Sequence, residues 1–246
     1  MTRATDMLCV FRIQFAGTRR EVGPFLLAAF VFPAAMYLFA NAVAGAEVAP
    51  EQSRLRFLAG SIVFSLSLTS ISWLGYLLLE NRFTGRLKLF ATLPLVPSSY
   101  VFGILVFAIA QAAVSTTTLL LVGRALRVQM RPNFPLLIVV ILLTILCLCG
   151  LGVVIAARAR SFSQGSLLTD ALGAGLIFLA PVYYAPEMMP RAMRAFAQLL
   201  PTTFAARALQ TTLAGGHAIE EELLALGLMA VATLALGFRL MKWREE

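Results

Sequence analysis

Six apolar runs dominate the chain: Pro24 to Val43, Phe57 to Leu79, Tyr100 to Val122, Phe134 to Ala157, Leu167 to Ala185 and Leu223 to Met241. About 20 apolar residues in a helix cross a hydrocarbon layer of roughly 30 Å, and each run reaches or nearly reaches that length. Inside a bilayer every backbone amide must find its hydrogen bond within the protein, so runs of this kind fold as helices. Composition agrees: 60% of the residues are hydrophobic and only 13% are charged, against about 25% charged in a soluble domain. Too few charges remain for a water-facing shell. The expected fold is an all-α membrane protein, one transmembrane domain over residues 1–246 with six transmembrane helices. The first run lies well inside the chain and is long enough to span, so no cleaved leader is expected.

The net charge is +8, from 20 Lys+Arg against 12 Asp+Glu. Nucleic-acid binding needs that charge gathered on one soluble face, whereas here it is scattered between the runs. With the N-terminus inside, twelve basic residues fall in cytoplasmic segments and eight in outer ones, a positive-inside bias that puts both termini in the cytoplasm.

Residues 1–23 read as an interfacial helix, with Leu8, Phe11 and Phe15 as its apolar stripe and Arg12, Arg19 and Arg20 off that stripe or just past it. The alternative is a frayed basic leader that only sets topology. In the second run Ser61, Ser65, Thr69 and Ser72 share one helical face, and Gln111, Ser115 and Thr118 form a similar stripe in the third. Such stripes either let helices pack closely or line a polar path, and the two roles are compatible. No ionisable residue falls at the middle of a run: Glu80 follows the second, and Asp170 is placed in the first turn of the fifth. Ion-coupled transport usually requires such a residue, so it is not expected here.

Several chemistries are closed to this chain. A P-loop needs Gly-Lys-Ser/Thr, but Lys88 follows Leu87 and Lys242 follows Met241. His217 is the only histidine, so this chain alone has no histidine cluster for a metal or a proton relay. Cys9, Cys147 and Cys149 read as packing residues, since the last two lie two apart in one run.

The stretch Leu79-Glu80-Asn81-Arg82-Phe83-Thr84-Gly85-Arg86-Leu87-Lys88, followed by Thr92-Leu93-Pro94 and Ser98-Ser99-Tyr100, is charged, broken by glycine and set between two spans. It resembles the coupling loop of type 2 ABC transporter permeases; Arg86 and Lys88 depart from that pattern, where many members have Thr and Glu. Leu151-Gly152 through Arg158-Ala159-Arg160 resembles the end of the family's fourth span. Pro181 to Pro190, then Leu200-Pro201-Thr202-Thr203-Phe204, resembles its outer segment before the last span. In that segment, residues 186–216, Met193, Phe196, Ala197 and Leu200 form one apolar face and Phe204, Ala205, Ala208 and Leu213 another, separated by Pro201. Each piece is too short to span, so a re-entrant or interfacial helix pair fits, with a solvated loop as the alternative.

The resemblance implies a permease subunit in the plasma (inner) membrane of a prokaryote, working with two copies of a cytoplasmic ABC ATPase and with a second permease, identical or homologous. ATP and Mg would be held by that ATPase and no cofactor by this chain, which would not itself be an enzyme. Coupling to the ATPase would fall to the loop at residues 80–99, through Glu80, Arg82, Gly85, Arg86 and Lys88, and to Arg12 on the N-terminal helix. The substrate path would be lined by Ser65, Thr69, Ser72, Phe178 and Tyr183. The implied activity is outward movement of an amphipathic or lipid-linked substrate by alternating access. A haem-exporter-like subunit of cytochrome maturation and a non-transporting helical scaffold are the alternatives.

Overall fold

A computed structural model of the chain describes residues 3–20, 23, 26–43, 51–86, 97–184 and 186–240. Among the described residues the fold is all-helical, with no strand. Helix α1 covers Arg3–Arg20; a π-helical turn, Leu27–Val31, leads into α2, Phe32–Val43. Next comes α3, Glu51–Phe83, which contains a second π-helical stretch, Leu68–Trp73. After it follow α4, Pro97–Ala125, α5, Phe134–Arg158, and α6, Phe162–Phe178. Two short helices, α7 (Arg191–Ala197) and α8 (Pro201–Leu213), precede α9, Glu220–Leu240.

Among the described residues four helices are long and apolar enough to cross a membrane: α3, the Ser99–Ala125 part of α4, α5 and α9. The first and fifth apolar runs give shorter helices. The first holds the 12 residues of α2 behind its π turn, and the fifth gives the 17 residues of α6. Helix α6 also starts ahead of the apolar run, because the Ser161 side chain accepts a hydrogen bond from the Gln164 amide at 3.2 Å and caps the helix there. Asp170 therefore lies about two turns into α6, not in its first turn.

Close approach of helices rests on small residues. A Cβ on Gly150 of α5 would overlap Thr233 of α9, and one on Gly237 of α9 would sit 2.9 Å from Val153 of α5. Thr233 Oγ1 donates across this joint to the Cys147 carbonyl at 3.1 Å. Close packing and interhelical hydrogen bonds of this kind drive helix association in lipid. Helix α8 buries Ala205, Ala208, Leu209 and Leu213 against α3, α5 and α9. Thr202, just after Pro201, donates to the Leu176 carbonyl near the end of α6 at 2.7 Å, which satisfies a carbonyl of the last helical turn.

Helix α1 lies along α4, through Val10 and, from the stripe read in the sequence, Phe11. Val10 is buried, and Gly103 of α4 makes room for it: a Cβ there would come within 2.7 Å of Val10 Cβ and 3.0 Å of the Met7 carbonyl. Phe11 reaches Phe107 of α4 at a ring separation of 6.0 Å. Leu8 and Phe15 are instead exposed, at 57% and 46%. In a bilayer the outward face of a helix is as apolar as the inward one, so hydrophobicity alone does not separate the two.

Candidate functional site

Two places collect the residues singled out from the sequence: the end of the bundle where α3 and α5 terminate, and a cavity beside the π-helical stretch of α3.

At the first, α3 ends on a left-handed residue, Gly85 at φ +77°, a conformation that glycine adopts without strain. The Thr84 hydroxyl donates to the Glu80 carbonyl at 2.6 Å, and Glu80 pairs with Arg86 at 3.2 Å. The Arg86 side chain is 59% exposed, so this pair is screened by solvent and adds little to stability. Arg82 turns inward. Its Nη1 donates to the carbonyls of Ala156, Ala157 and Ala159 at 2.9, 3.2 and 3.0 Å, covering the open carbonyls at the end of α5. Asn81 Nδ2 donates to the Tyr100 hydroxyl at 2.6 Å, which fixes the start of α4 to the same end. The structure thus separates the expected coupling residues. Glu80, Gly85 and Arg86 form an outer turn, Arg82 clamps α3 to α5, and Arg12 is exposed on α1. Lys88 lies outside the described residues.

The second place is a cavity of about 360 Å³ lined by Leu27, Phe32, Leu68, Thr69, Ser72, Trp73, Tyr76, Gln111 and Asp170. The π-helical stretch forms its α3 wall: the Leu74 amide reaches back to the Thr69 carbonyl, five residues away, where an α-helix would use four. Gln111 is only 3% exposed, and its Oε1 has no hydrogen-bond partner among the described residues. Asp170 makes no ion pair or hydrogen bond among the described residues. Helix α6 can present it here because Thr169, one residue earlier, packs against Gly75 of α3.

Of the five expected path residues, Thr69 and Ser72 line this cavity. Ser65 is buried elsewhere in the bundle, with no partner for its hydroxyl among the described residues. Phe178 is exposed at the last residue of α6. Tyr183 is half-buried against Gly60, its hydroxyl 3.5 Å from that of Ser61. Sequence reading misses Trp73, Tyr76 and Asp170 as cavity residues and takes Gln111 only as part of a polar stripe. The overlooked signal for Asp170 is Ser161-Phe162-Ser163-Gln164, a Ser-x-x-Gln capping pattern that starts α6 early.

Helix α3 thus carries a cavity wall with two hydroxyls, Thr69 and Ser72, in its middle and an exposed charged turn at its end, in a bundle of apolar helices. A family model of the ABC-2 type transporter matches residues 7–214, from α1 through α8. The chain belongs to that family. It is a multi-pass membrane protein and the permease component of an ABC transporter, a kind of subunit that works with an ABC ATPase. A search among curated proteins finds no match.

Proposed function

We propose that this permease is the membrane half of an ATP-driven exporter, moving an amphipathic or lipid-linked substrate outward by alternating access. Two copies, or one copy with a homologous partner, pair with two ATPase subunits that hold the ATP and Mg. The first and fifth apolar runs complete six spans, α7 and α8 form the outer interfacial or re-entrant pair, and both termini face the cytoplasm of a prokaryotic cell.

The observation that carries this reading is the construction of α3. One continuous helix bears Thr69 and Ser72 on the cavity and, about two turns further on, the turn of Glu80, Gly85 and Arg86. A push on the exposed turn by an ATPase is delivered to the cavity wall through a rigid element, and Arg82 carries it to α5 as well. Helix α1, seated on α4 with Arg12 exposed, gives a second surface for the same contact.

The test is ATP turnover by the purified permease and its co-expressed ATPase in lipid vesicles. The permease alone neither binds nor hydrolyses ATP; the complex does, and a transported substrate stimulates it. Glu80→Ala and Gly85→Pro are expected to abolish the stimulation while the protein inserts and assembles normally. Full stimulation in both variants would place the contact elsewhere, and hydrolysis by the permease alone would end the proposal.

A further inference from the structure

The cavity holds chemistry that the proposed transport reading leaves unused. A substrate class drawn from that chemistry rests on the transport reading, with the cavity as the cargo path. Its walls are mainly apolar or aromatic, from Leu27, Phe32, Trp73 and Tyr76. Its polar lining includes the Asp170 carboxylate and Gln111, whose Oε1 is buried and without a donor among the described residues. Among the described residues no lysine or arginine lines it. Helix α6 starts at Phe162, so the carboxylate of Asp170 stands about 12 Å along it from its start. If α6 spans, a carboxylate there is costly where it faces lipid and is retained where it meets water or a counter-charge.

A neutral guest can donate a hydrogen bond to either acceptor but leaves the Asp170 charge uncompensated, and an anionic guest brings a like charge to it. A guest with a cationic N–H group satisfies both, because its hydrogens are donated to Asp170 and to Gln111 Oε1. An ammonium also gains from the electron-rich faces of aromatic rings, most of all tryptophan. We infer that the cavity selects a protonated amphipathic amine, with the ammonium between Asp170 and Gln111 and the apolar body against Leu27, Phe32 and Trp73. A volume of about 360 Å³ falls at the small end of pockets for drug-sized ligands, roughly 300–1,000 Å³, which limits the bound portion to one or two ring systems.

The experiment uses the permease–ATPase complex in lipid nanodiscs and two fluorescent probes, dansylcadaverine and its neutral N-acetyl derivative. The amine is expected to bind at least about tenfold more tightly than the acetylated probe, a modest value for a charge pair beside apolar walls. Asp170→Asn should remove that preference and leave binding of the acetylated probe unchanged, whereas Asp170→Glu should keep it. Equal binding of the two probes by the unaltered complex, or binding of neither, would overturn the inference, as would equal loss of both in Asp170→Asn. The comparison in the unaltered complex needs no variant, so it decides the matter even where Asp170→Asn does not fold.

The failure of the transport reading shows separately. After Cys9, Cys147 and Cys149 are replaced, Thr69→Cys and Ser72→Cys should react with a water-soluble thiol reagent in a nucleotide-dependent way, and Ser65→Cys should not. Inert cysteines at 69 and 72 would remove the cargo path itself. Reactive cysteines with no preference for the amine would remove only the substrate class.

Discussion

Between α5 and α9 the backbones close until glycine is required at 150 and 237, and the hydroxyl between them, that of Thr233, is fully used. The adjoining helices α3 and α4 are also apolar enough to span, though less apolar than α5, and they hold polar atoms that nothing pairs: among the described residues, the hydroxyls of Ser65, Ser67, Ser115 and Thr116 and the Gln111 carbonyl oxygen find no partner. The first pair has no spare hydrogen-bonding capacity and no room. The second has spare capacity, and at Gln111 a cavity opens beside it. An unpaired buried polar group costs about 1–3 kcal/mol, so the α3–α4 region gains by admitting water or a guest, while α5–α9 only loses by parting. A transporter needs one region of each kind, a joint that keeps its shape and a wall that can be rebuilt.

Substitutions can break this contrast. The largest effect is expected from Gly150→Val, whose side chain would overlap Thr233 and the Leu234 amide of α9. Overpacking of this sort costs about 1–3 kcal/mol and at a backbone contact more, so the detergent-solubilised protein should unfold at a clearly lower temperature or fail to fold. A variant melting like the parent would mean that α9 slides freely along α5. Next comes Arg82→Ala, which strips the donor from three carbonyls at the end of α5. A loss of about 1.5–3 kcal/mol is expected, in line with hydrogen bonds from a charged group. Arg82→Lys should recover only part of it, because a lysine offers a point charge and not a planar fork. The smallest effect belongs to Gln111→Leu. Removing an acceptor that has no partner should leave thermal stability unchanged or raise it by up to about 1 kcal/mol, while substrate-stimulated ATP turnover falls. A melting temperature as low as that of Gly150→Val would show that α3 and α4 are as tightly joined as α5 and α9, and the comparison would fail.

Much of the fold is written in apolar length, and apolar length is what a sequence displays most plainly. The second, third, fourth and sixth runs return as α3, α4, α5 and α9. The ends of helices are set by single side chains, and there the apolar pattern misleads. The run beginning at Leu167 puts Asp170 in a first turn, but the Ser161 cap starts α6 at Phe162. On α1 the burial of Val10 has no mark in the local pattern, because it depends on the notch at Gly103, on a helix far along the chain. The candidate site is legible to the extent that polar residues stand out in apolar runs. Thr69 and Ser72 are found in this way. Trp73 and Tyr76 are not, since an aromatic residue in a span looks the same whether it faces lipid, a neighbour or a cavity.

The π-helical stretch Leu68–Trp73 bears on how this chain tolerates change in length. A hydrogen bond that closes over five residues takes up one residue more than an α-helical turn, so α3 carries one residue beyond what its two ends need in order to stay in phase. Removing a single residue there would let the turn relax to ordinary α-helix, with Gly60 still beside Tyr183 and Arg82 still beside Ala156. A deletion elsewhere in α3 would rotate one end by about 100° relative to the other. The surplus residue sits in the cavity wall, so that wall is where α3 can be shortened or rewritten without disturbing the contacts at its ends.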